Sequence, residues 1–184
     1  MKTRIINGFI EETQNNGIKF TMDDLARRLG MSKRTLYEHF PSKVSILDAI
    51  IDRTFEEFDR QTQETIDNPS LTLLEKIRKI IVVVPKHNDF YDLRILEQLE
   101  RSYPEQWARV NRELYQWDEL KELLEEGIRQ GIIVNRNIDL LMKLILEATN
   151  VTLDQKFFFE HSISVTEALE TIVEMLLTGI VKQN

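Results

Sequence analysis

The sequence contains no cysteine, which excludes disulfide bonds and thiol chemistry and fits a cytoplasmic protein. It also lacks any run of about 18 apolar residues, so we expect no membrane-spanning helix. The N terminus lacks the apolar segment of a signal peptide. The G-x-S-x-G, Walker and H-E-x-x-H motifs are absent as well. These absences favour a protein that is not an enzyme and uses no cofactor.

Positive charge is scarce and unevenly placed. The formal net charge of −7 argues against a general nucleic-acid binder. However, residues 1–48 carry eight lysines and arginines against six acidic residues, whereas residues 49–184 carry sixteen against twenty-five. A modestly positive end on an acidic body fits a nucleic-acid-binding surface confined to the N terminus, because phosphates attract the end and repel the body.

The most specific pattern in the chain spans residues 21–43, TMDDLARRLGMSKRTLYEHFPSK. Thr21, with an aspartate three residues later, predicts a capping box that starts a short helix. Gly30 predicts the sharp turn that ends this helix, and Ser32 is placed to cap a second helix with Leu36 on its inner face. A small residue, a turn glycine and an inward leucine in this order are typical of a helix-turn-helix.

The outer face of the second helix should carry hydrogen-bond donors that reach phosphates and base edges in a DNA groove. A lysine then opens the next helix, whose N terminus favours a phosphate. A plain helical hairpin in an all-α core is the alternative, but it would need neither the turn glycine nor the basic outer face. The side chains predicted to contact DNA are Lys33, Arg34, Thr35, Tyr37, His39 and Lys43.

With residues 1–20 before it, this stretch resembles the DNA-binding domain of TetR-type bacterial transcriptional regulators. The run SKRTLYEHFPSK, residues 32–43, is similar to that family's recognition helix and the start of its fourth helix. The resemblance implies that Thr21 holds a phosphate at the start of helix 2. It also implies base or nearby phosphate contacts for Lys33, Arg34 and Thr35, and backbone contacts for Tyr37, His39 and Lys43. Thr35 stands where many relatives have glycine.

The rest of the chain has apolar residues at helical spacing, which predicts about nine helices in all. A long helix is expected from about Ser42 to Asp67. The run from Pro104 toward Gly127 or Gly131 is either one helix or two helices with a break near Tyr115 to Leu120. Residues 132–134, Ile-Ile-Val, suggest a short extended link, for which the sequence offers no partner strand.

The predicted fold class is therefore all-α. Residues 1–48 would form an N-terminal three-helix helix-turn-helix domain. Residues 49–184 would form a C-terminal helical domain, which the resemblance assigns to ligand binding and dimerisation. The long helix would join the two parts, so that movement of one reaches the other.

The last two predicted helices are apolar around more than one narrow stripe, so one face can pack in the body while another meets a partner subunit. This pattern is similar to the family's two-helix dimer face, which forms a four-helix bundle. A wholly intramolecular core is the alternative, although a two-fold protein on a palindromic site is the usual helix-turn-helix arrangement. The residues predicted for dimerisation are Leu141, Ile145, Leu169, Ile172, Val173 and Leu176.

The resemblance also implies an effector pocket inside the C-terminal domain, suited to a small apolar or amphipathic molecule. The candidate lining residues are Phe58, Tyr103, Trp107 and Asn150. His87 and Asp89 are too weak a pair to predict a metal site, and we expect none.

The sequence thus predicts a cytoplasmic, ligand-responsive transcriptional repressor that binds a palindromic double-stranded DNA operator as a homodimer. Two alternatives stay open. One is a DNA-binding regulator with no small-molecule effector. The other is a helical enzyme or binding protein whose N-terminal motif is relict.

Overall fold

The structure, a computed structural model, describes residues 1–84 and 88–181. Within these ranges the chain forms eleven α-helices and two short 3₁₀ turns, with no β-strand. The predicted all-α class is therefore confirmed. No helix of the described residues has both the length and the apolar character needed to cross a membrane.

The first four helices contain the predicted helix-turn-helix, and their starts are capped as the sequence predicts. The Thr21 hydroxyl accepts from the Asp24 N–H at 3.2 Å, while the Asp24 carboxylate accepts from the Thr21 N–H at 3.0 Å. The Ser32 hydroxyl accepts from the Thr35 N–H at 3.0 Å. These bonds satisfy N–H groups that a helix start leaves unpaired. The helices are α1 (Lys2–Asn16), α2 (Met22–Arg28), α3 (Lys33–His39) and α4 (Lys43–Ile66).

Seven further α-helices follow. The break expected between residues 115 and 120 is present at Gln116 and Trp117. One short helix was missed, although Asp154 caps it by accepting from the Phe157 N–H at 3.2 Å. The break and this extra helix raise the count from nine to eleven. The helices are α5 (Leu73–Ile81), α6 (Leu93–Ser102), α7 (Pro104–Tyr115), α8 (Asp118–Arg129), α9 (Ile138–Asn150), α10 (Gln155–His161) and α11 (Val165–Ile180), with 3₁₀ turns at Asn88–Tyr91 and Val151–Leu153.

The extended link at residues 132–134 does have a partner. Ile133 forms an isolated antiparallel bridge with Val181, and the Val134 N–H donates to the Ile180 carbonyl at 2.8 Å. The expectation of an unpaired link was wrong because the partner lies about fifty residues further along the chain, just after α11. Local sequence patterns carry no signal for so distant a pairing.

The chain divides into two compact units, and the division is not a single cut. The first unit contains residues 1–56 and 85–111, and the second contains residues 57–84 and 112–184. Helices α4 and α7 therefore each contribute residues to both units. The first compact unit thus includes α6 and most of α7 together with the N-terminal helices. The predicted division into residues 1–48 and 49–184 is one of function, and it stays a prediction.

Each unit has its own apolar core. In the first, Phe9 and Phe20 meet edge to face with their ring centroids 5.0 Å apart, and Leu25 and Leu36 are fully buried. In the second, α5, α8, α9 and α11 supply one cluster around the buried link residue Ile133. Burying a side chain of this size contributes about 1.5–3 kcal/mol, so these residues fix how the helices pack. Other members of the second core are Ile77, Ile80, Leu120, Leu124, Ile145, Val173 and Leu177.

Candidate DNA-binding site

Helix α3 has one buried face and one exposed, basic face. Leu36 and the following Phe40 are buried, at 0% and 4% exposure, and anchor the helix in the first unit. Lys33, Arg34 and Tyr37 are exposed. Because residues three and four apart lie on the same side of a helix, these three side chains form one surface. A lysine, an arginine and a phenol on one face can donate to phosphates and base edges.

Carboxylates hold both cations of this face in the free protein. The Lys33 ammonium group pairs with Asp23, and Arg34 Nε lies 2.9 Å from a Glu38 carboxylate oxygen. Surface ion pairs of this kind contribute only about 0–1 kcal/mol. A DNA phosphate can therefore displace the carboxylates at little cost.

The turn between α2 and α3 depends on Gly30. Its φ of +61° lies in the left-handed region, which side chains other than glycine adopt at a cost. The Met31 N–H then donates back to the Ala26 carbonyl at 3.0 Å, closing the turn across the buried Ala26. This closure sets the angle between α2 and α3, and hence the direction in which the exposed face of α3 points.

Three other predicted DNA contacts are Thr21, at the start of α2, and two residues of α3 itself. Thr21 is exposed at the start of α2, and its hydroxyl lies 2.6 Å from an Asp24 carboxylate oxygen. These hydrogen bonds from Thr21 lower the pKa of Asp24 below its ordinary value. Thr35 and His39 are half-buried, and the Thr35 hydroxyl lies 2.8 Å from that of Ser32. Thr35 and His39 therefore offer less surface to a ligand than Lys33, Arg34 and Tyr37.

Lys43, the last of the predicted contacts, points inward. Its ammonium group donates to the backbone carbonyls of Ile18 and Phe20 and lies 4.0 Å from the Phe20 ring centroid. Burial lowers the pKa of Lys43 to about 8. Two carbonyl oxygens and an aromatic face thus share the charge of Lys43, and the predicted contact with a DNA phosphate stays a prediction.

Polar residues that the sequence did not indicate link α7 to α4, and α6 to the loop before α2, within the first unit. Arg109 Nη1 lies 2.9 Å from the Asp48 carboxylate, and Nη2 pairs with Asp52. Gln106 Nε2 donates to Asp48 at 3.1 Å, and Gln98 Oε1 accepts from the Ile18 N–H at 2.8 Å. These partners are 57 to 80 residues apart in sequence, so no local pattern could have indicated them.

The four candidate effector-binding residues do not fall in one compact unit. Tyr103 and Trp107 belong to the first unit, and Phe58 and Asn150 belong to the second. In the second unit the Phe58 ring lies 5.4 Å from that of Trp117, a residue not proposed from the sequence. Two polar atoms of that unit are buried without a hydrogen-bond partner, Asn150 Nδ2 and the hydroxyl oxygen of Thr62.

The residues predicted for dimerisation are mostly internal. Val173 is fully buried, Leu141, Ile145 and Leu169 are nearly so, and Ile172 and Leu176 are half-buried. The buried side chains fill the protomer's own interior, so the choice of contact residues on α9 and α11 is revised. The exposed apolar side chains of these two helices are Leu140 at 57%, Leu144 at 52% and Met175 at 72% exposure.

In the described part of the chain, no three histidine, cysteine or acidic side chains come together in a way that could hold a metal ion. His87, considered and set aside as a ligand from the sequence, lies outside the described residues.

Comparison with known proteins supports the assignment of this site. Residues 8–50 match the family described as bacterial regulatory proteins, tetR family. The chain is 29% identical to the HTH-type transcriptional regulator YvaF of Bacillus subtilis over 181 residues, 98% of this chain and 95% of YvaF. Two solved structures share the fold. PfmR, a TetR family regulator from Thermus thermophilus, has a TM-score of 0.75 at 20% identity, covering 95% of this chain and 97% of PfmR. FadR from Bacillus subtilis, in complex with stearoyl-CoA, has a TM-score of 0.71 at 20% identity, covering 98% and 100%.

The capped helix pair, its basic outer face and these matches define a helix-turn-helix DNA-binding protein that regulates transcription. Residues 8–50 match the tetR family of bacterial regulatory proteins, so the helix-turn-helix part of the chain is similar to that family's DNA-binding domain. Its relatives and structural neighbours are likewise transcriptional regulators.

Proposed function

We propose that the protein is a cytoplasmic repressor that binds a palindromic operator as a homodimer and releases it when a small molecule binds. The observation that carries this proposal is the exposed face of α3, formed by Lys33, Arg34 and Tyr37 on a helix anchored by the buried Leu36. Each α3 would enter a major groove, with Arg34 or Lys33 donating to guanine or to nearby phosphates. Thr21, Thr35 and His39 would add contacts at the rim of this surface.

The proposed dimer face consists of the exposed apolar side chains Leu140, Leu144 and Met175 on α9 and α11. Leu140 and Leu144 are four residues apart and share one face of α9. Large apolar side chains that are exposed on helices whose other faces are packed are a mark of a protein interface. A two-fold axis through this face would use each side chain twice and would match a palindromic operator. Half-buried Ile172 and Leu176 would lie beside this face and contribute their exposed parts.

The proposed effector site lies in the second unit, near the Phe58 and Trp117 rings. Thr62 is four residues after Phe58, so the two side chains share a face of α4. The unpaired, buried hydroxyl of Thr62 would bond a polar group on an otherwise apolar molecule. Asn150 offers a second such group. FadR, which shares the fold, was crystallised with a long-chain acyl ligand, stearoyl-CoA. Tyr103 and Trp107 belong to the first unit and are not part of this proposed site.

Release of DNA requires that the effector bind better to a conformation in which the spacing of the two α3 helices of the dimer does not match the operator half-sites. The size of the response is bounded by that difference in affinity. An effector that binds both conformations equally would leave operator binding unchanged.

The test begins with selection of DNA from a random pool by the full-length protein. We expect a palindromic sequence, with half-sites about one helical turn or somewhat more apart. Arg34→Gln should weaken binding to the selected duplex by about 1–3 kcal/mol, roughly 5-fold to 150-fold, and relax the preference at the contacted base. Glu122→Gln on α8 is the control and should bind as the wild type does. Equal binding by wild type and Arg34→Gln would contradict the proposed reading face.

Adding a panel of acyl and aromatic metabolites to the selected complex tests the effector part separately. We expect at least one to release the DNA, and we expect Thr62→Val to weaken that response while DNA binding without metabolite stays intact. If no compound releases the DNA, the protein is instead a regulator without a small-molecule effector.

A further inference from the structure

The loop between α1 and α2, residues 17–20, is held from two sides by single side chains. The Ile18 N–H donates to Gln98 Oε1 at 2.8 Å, so a residue of α6 fixes the backbone on one side. The Ile18 and Phe20 carbonyls both accept from the Lys43 ammonium group, so the first residue of α4 fixes it on the other. Both backbone groups of Ile18 are therefore bonded to side chains rather than to a helix.

The surroundings favour these bonds. Gln98 Nε2 donates to the Arg94 carbonyl at 3.1 Å, which turns Oε1 toward the loop. Gly17, at φ +73°, lets the loop approach, since a Cβ at this position would lie only 2.5 Å from Gln98 Oε1. The Ile18 side chain is buried at 1% exposure. The loop is thus fixed by one apolar anchor and by three hydrogen bonds to side chains.

The position of this loop matters for DNA because the next residue is Thr21, which caps α2. A shift of the loop would shift the start of α2, and the closed turn at Gly30 would pass that shift to α3. We propose that Gln98 is a positioning residue for DNA binding, which holds the loop and hence helix α3. This inference rests on the proposed reading of DNA by α3.

The hydrogen-bond part of the proposal is tested without DNA. Exchange of the Ile18 amide hydrogen for deuterium reports whether its bond to Gln98 is kept. Gln98→Met preserves the size of the side chain but removes the acceptor, so we expect at least about tenfold faster exchange, because an unpaired buried N–H costs about 1.4 kcal/mol or more. Gln98→Glu retains an acceptor oxygen and should keep the amide protected. Unchanged exchange in Gln98→Met would overturn the proposal.

The positioning part is tested with a duplex that the wild-type protein selects from a random pool. We expect Gln98→Met to bind it measurably more weakly, by no more than the factor by which exchange of the Ile18 amide rises, because affinity falls with the fraction of molecules that hold the competent geometry. Gln98→Glu should restore binding, and Gln130→Met in the second unit should have no effect. A Gln98→Met protein that exchanges faster yet binds DNA as well as the wild type would also overturn the proposal.

Salt dependence separates a positioning role from a phosphate contact. A lost phosphate contact lowers the slope of log affinity against log salt concentration by about 0.9 for each subunit. We expect this reduction for Lys33→Met, which serves as the positive control. For Gln98→Met we expect weaker binding with the wild-type slope. A Gln98→Met slope reduced as far as that of Lys33→Met would overturn the proposal. A wild-type protein that selects no duplex would instead contradict the proposed function, and the exchange measurement would still report on the loop.

Discussion

Helix α3 differs from the terminal helices α9 and α11 in how well its sequence predicts which side chains are buried. In α3, Leu36 is flanked by polar residues, so a single reading of the pattern puts leucine inside and the basic residues outside. In α9 and α11 the apolar residues cover more than one narrow stripe, and of the neighbours Leu144 and Ile145 the first is exposed and the second buried. Contrast in polarity around a helix indicates its orientation, whereas a broad apolar surface leaves tertiary packing to decide which apolar residues are buried.

The largest expected effect lies on the exposed face of the terminal helices. Leu144→Asp would place a charge in the proposed dimer interface, and two-fold symmetry would apply the change twice. Each lost leucine contact contributes about 1.5–3 kcal/mol, so dimerisation should weaken by roughly 3–6 kcal/mol. Light scattering at micromolar concentration should show monomers for the variant and dimers for the wild type. Lys143→Asp, the preceding exposed residue, is the control for charge alone. If the Leu144→Asp variant is still a dimer, this face is not the interface.

Truncating one buried residue in α3 and one in α9 tests the orientation of each helix. Leu36→Ala and Ile145→Ala each create a cavity in a packed interior and should lower the free energy of unfolding by about 2–5 kcal/mol. Chemical denaturation followed by circular dichroism measures this. Tyr37→Ala, next to Leu36 but exposed, should change stability by less than about 0.5 kcal/mol. A large loss for Tyr37→Ala, or none for Leu36→Ala, would mean that α3 is turned differently from the structure.

The features of the site that the sequence predicts are those set by residues close together in the chain, and the features it does not predict are contacts between distant residues. The caps at Thr21 and Ser32, the turn at Gly30 and the exposed face of α3 depend on residues a few positions apart. The sequence predicted them, although Thr35 and His39 are half-buried and not fully on that face. The inward turn of Lys43 depends on carbonyls of residues 18 and 20, and the Gln98 bond crosses 80 residues. These contacts arise only when the helices pack, so their chemistry has no local pattern.

Replacing a glycine by alanine should change the stability in opposite directions at two positions, one before α3 and one in α11. Gly30→Ala places a side chain in the left-handed region and should cost about 1 kcal/mol of stability, although no atom lies within 4 Å of the new Cβ. Gly179→Ala lies within α11, also with nothing within 4 Å, and should stabilise the helix by about 0.5–1 kcal/mol. Paired denaturation curves measure both. Similar effects at the two sites would contradict the distinct backbone conformations on which the turn before α3 depends.

The smallest expected effect concerns the exposed cap of α2 and appears as a dependence on pH. Hydrogen bonds from Thr21 lower the pKa of Asp24 in the folded protein below its ordinary value of 3.8. The unfolded chain therefore binds the proton more readily, so this carboxylate stabilises the fold above about pH 4 and the stabilisation is lost as pH falls through the lower, folded-state pKa. Asp24→Asn removes the titrating group but keeps an oxygen that can accept from the Thr21 N–H. The variant should match the wild type at acidic pH and be slightly less stable at neutral pH, as measured by the unfolding midpoint at several pH values. An unchanged difference across this range would show that the Thr21 hydrogen bonds do not favour the charged carboxylate, and the cap would then act by geometry alone.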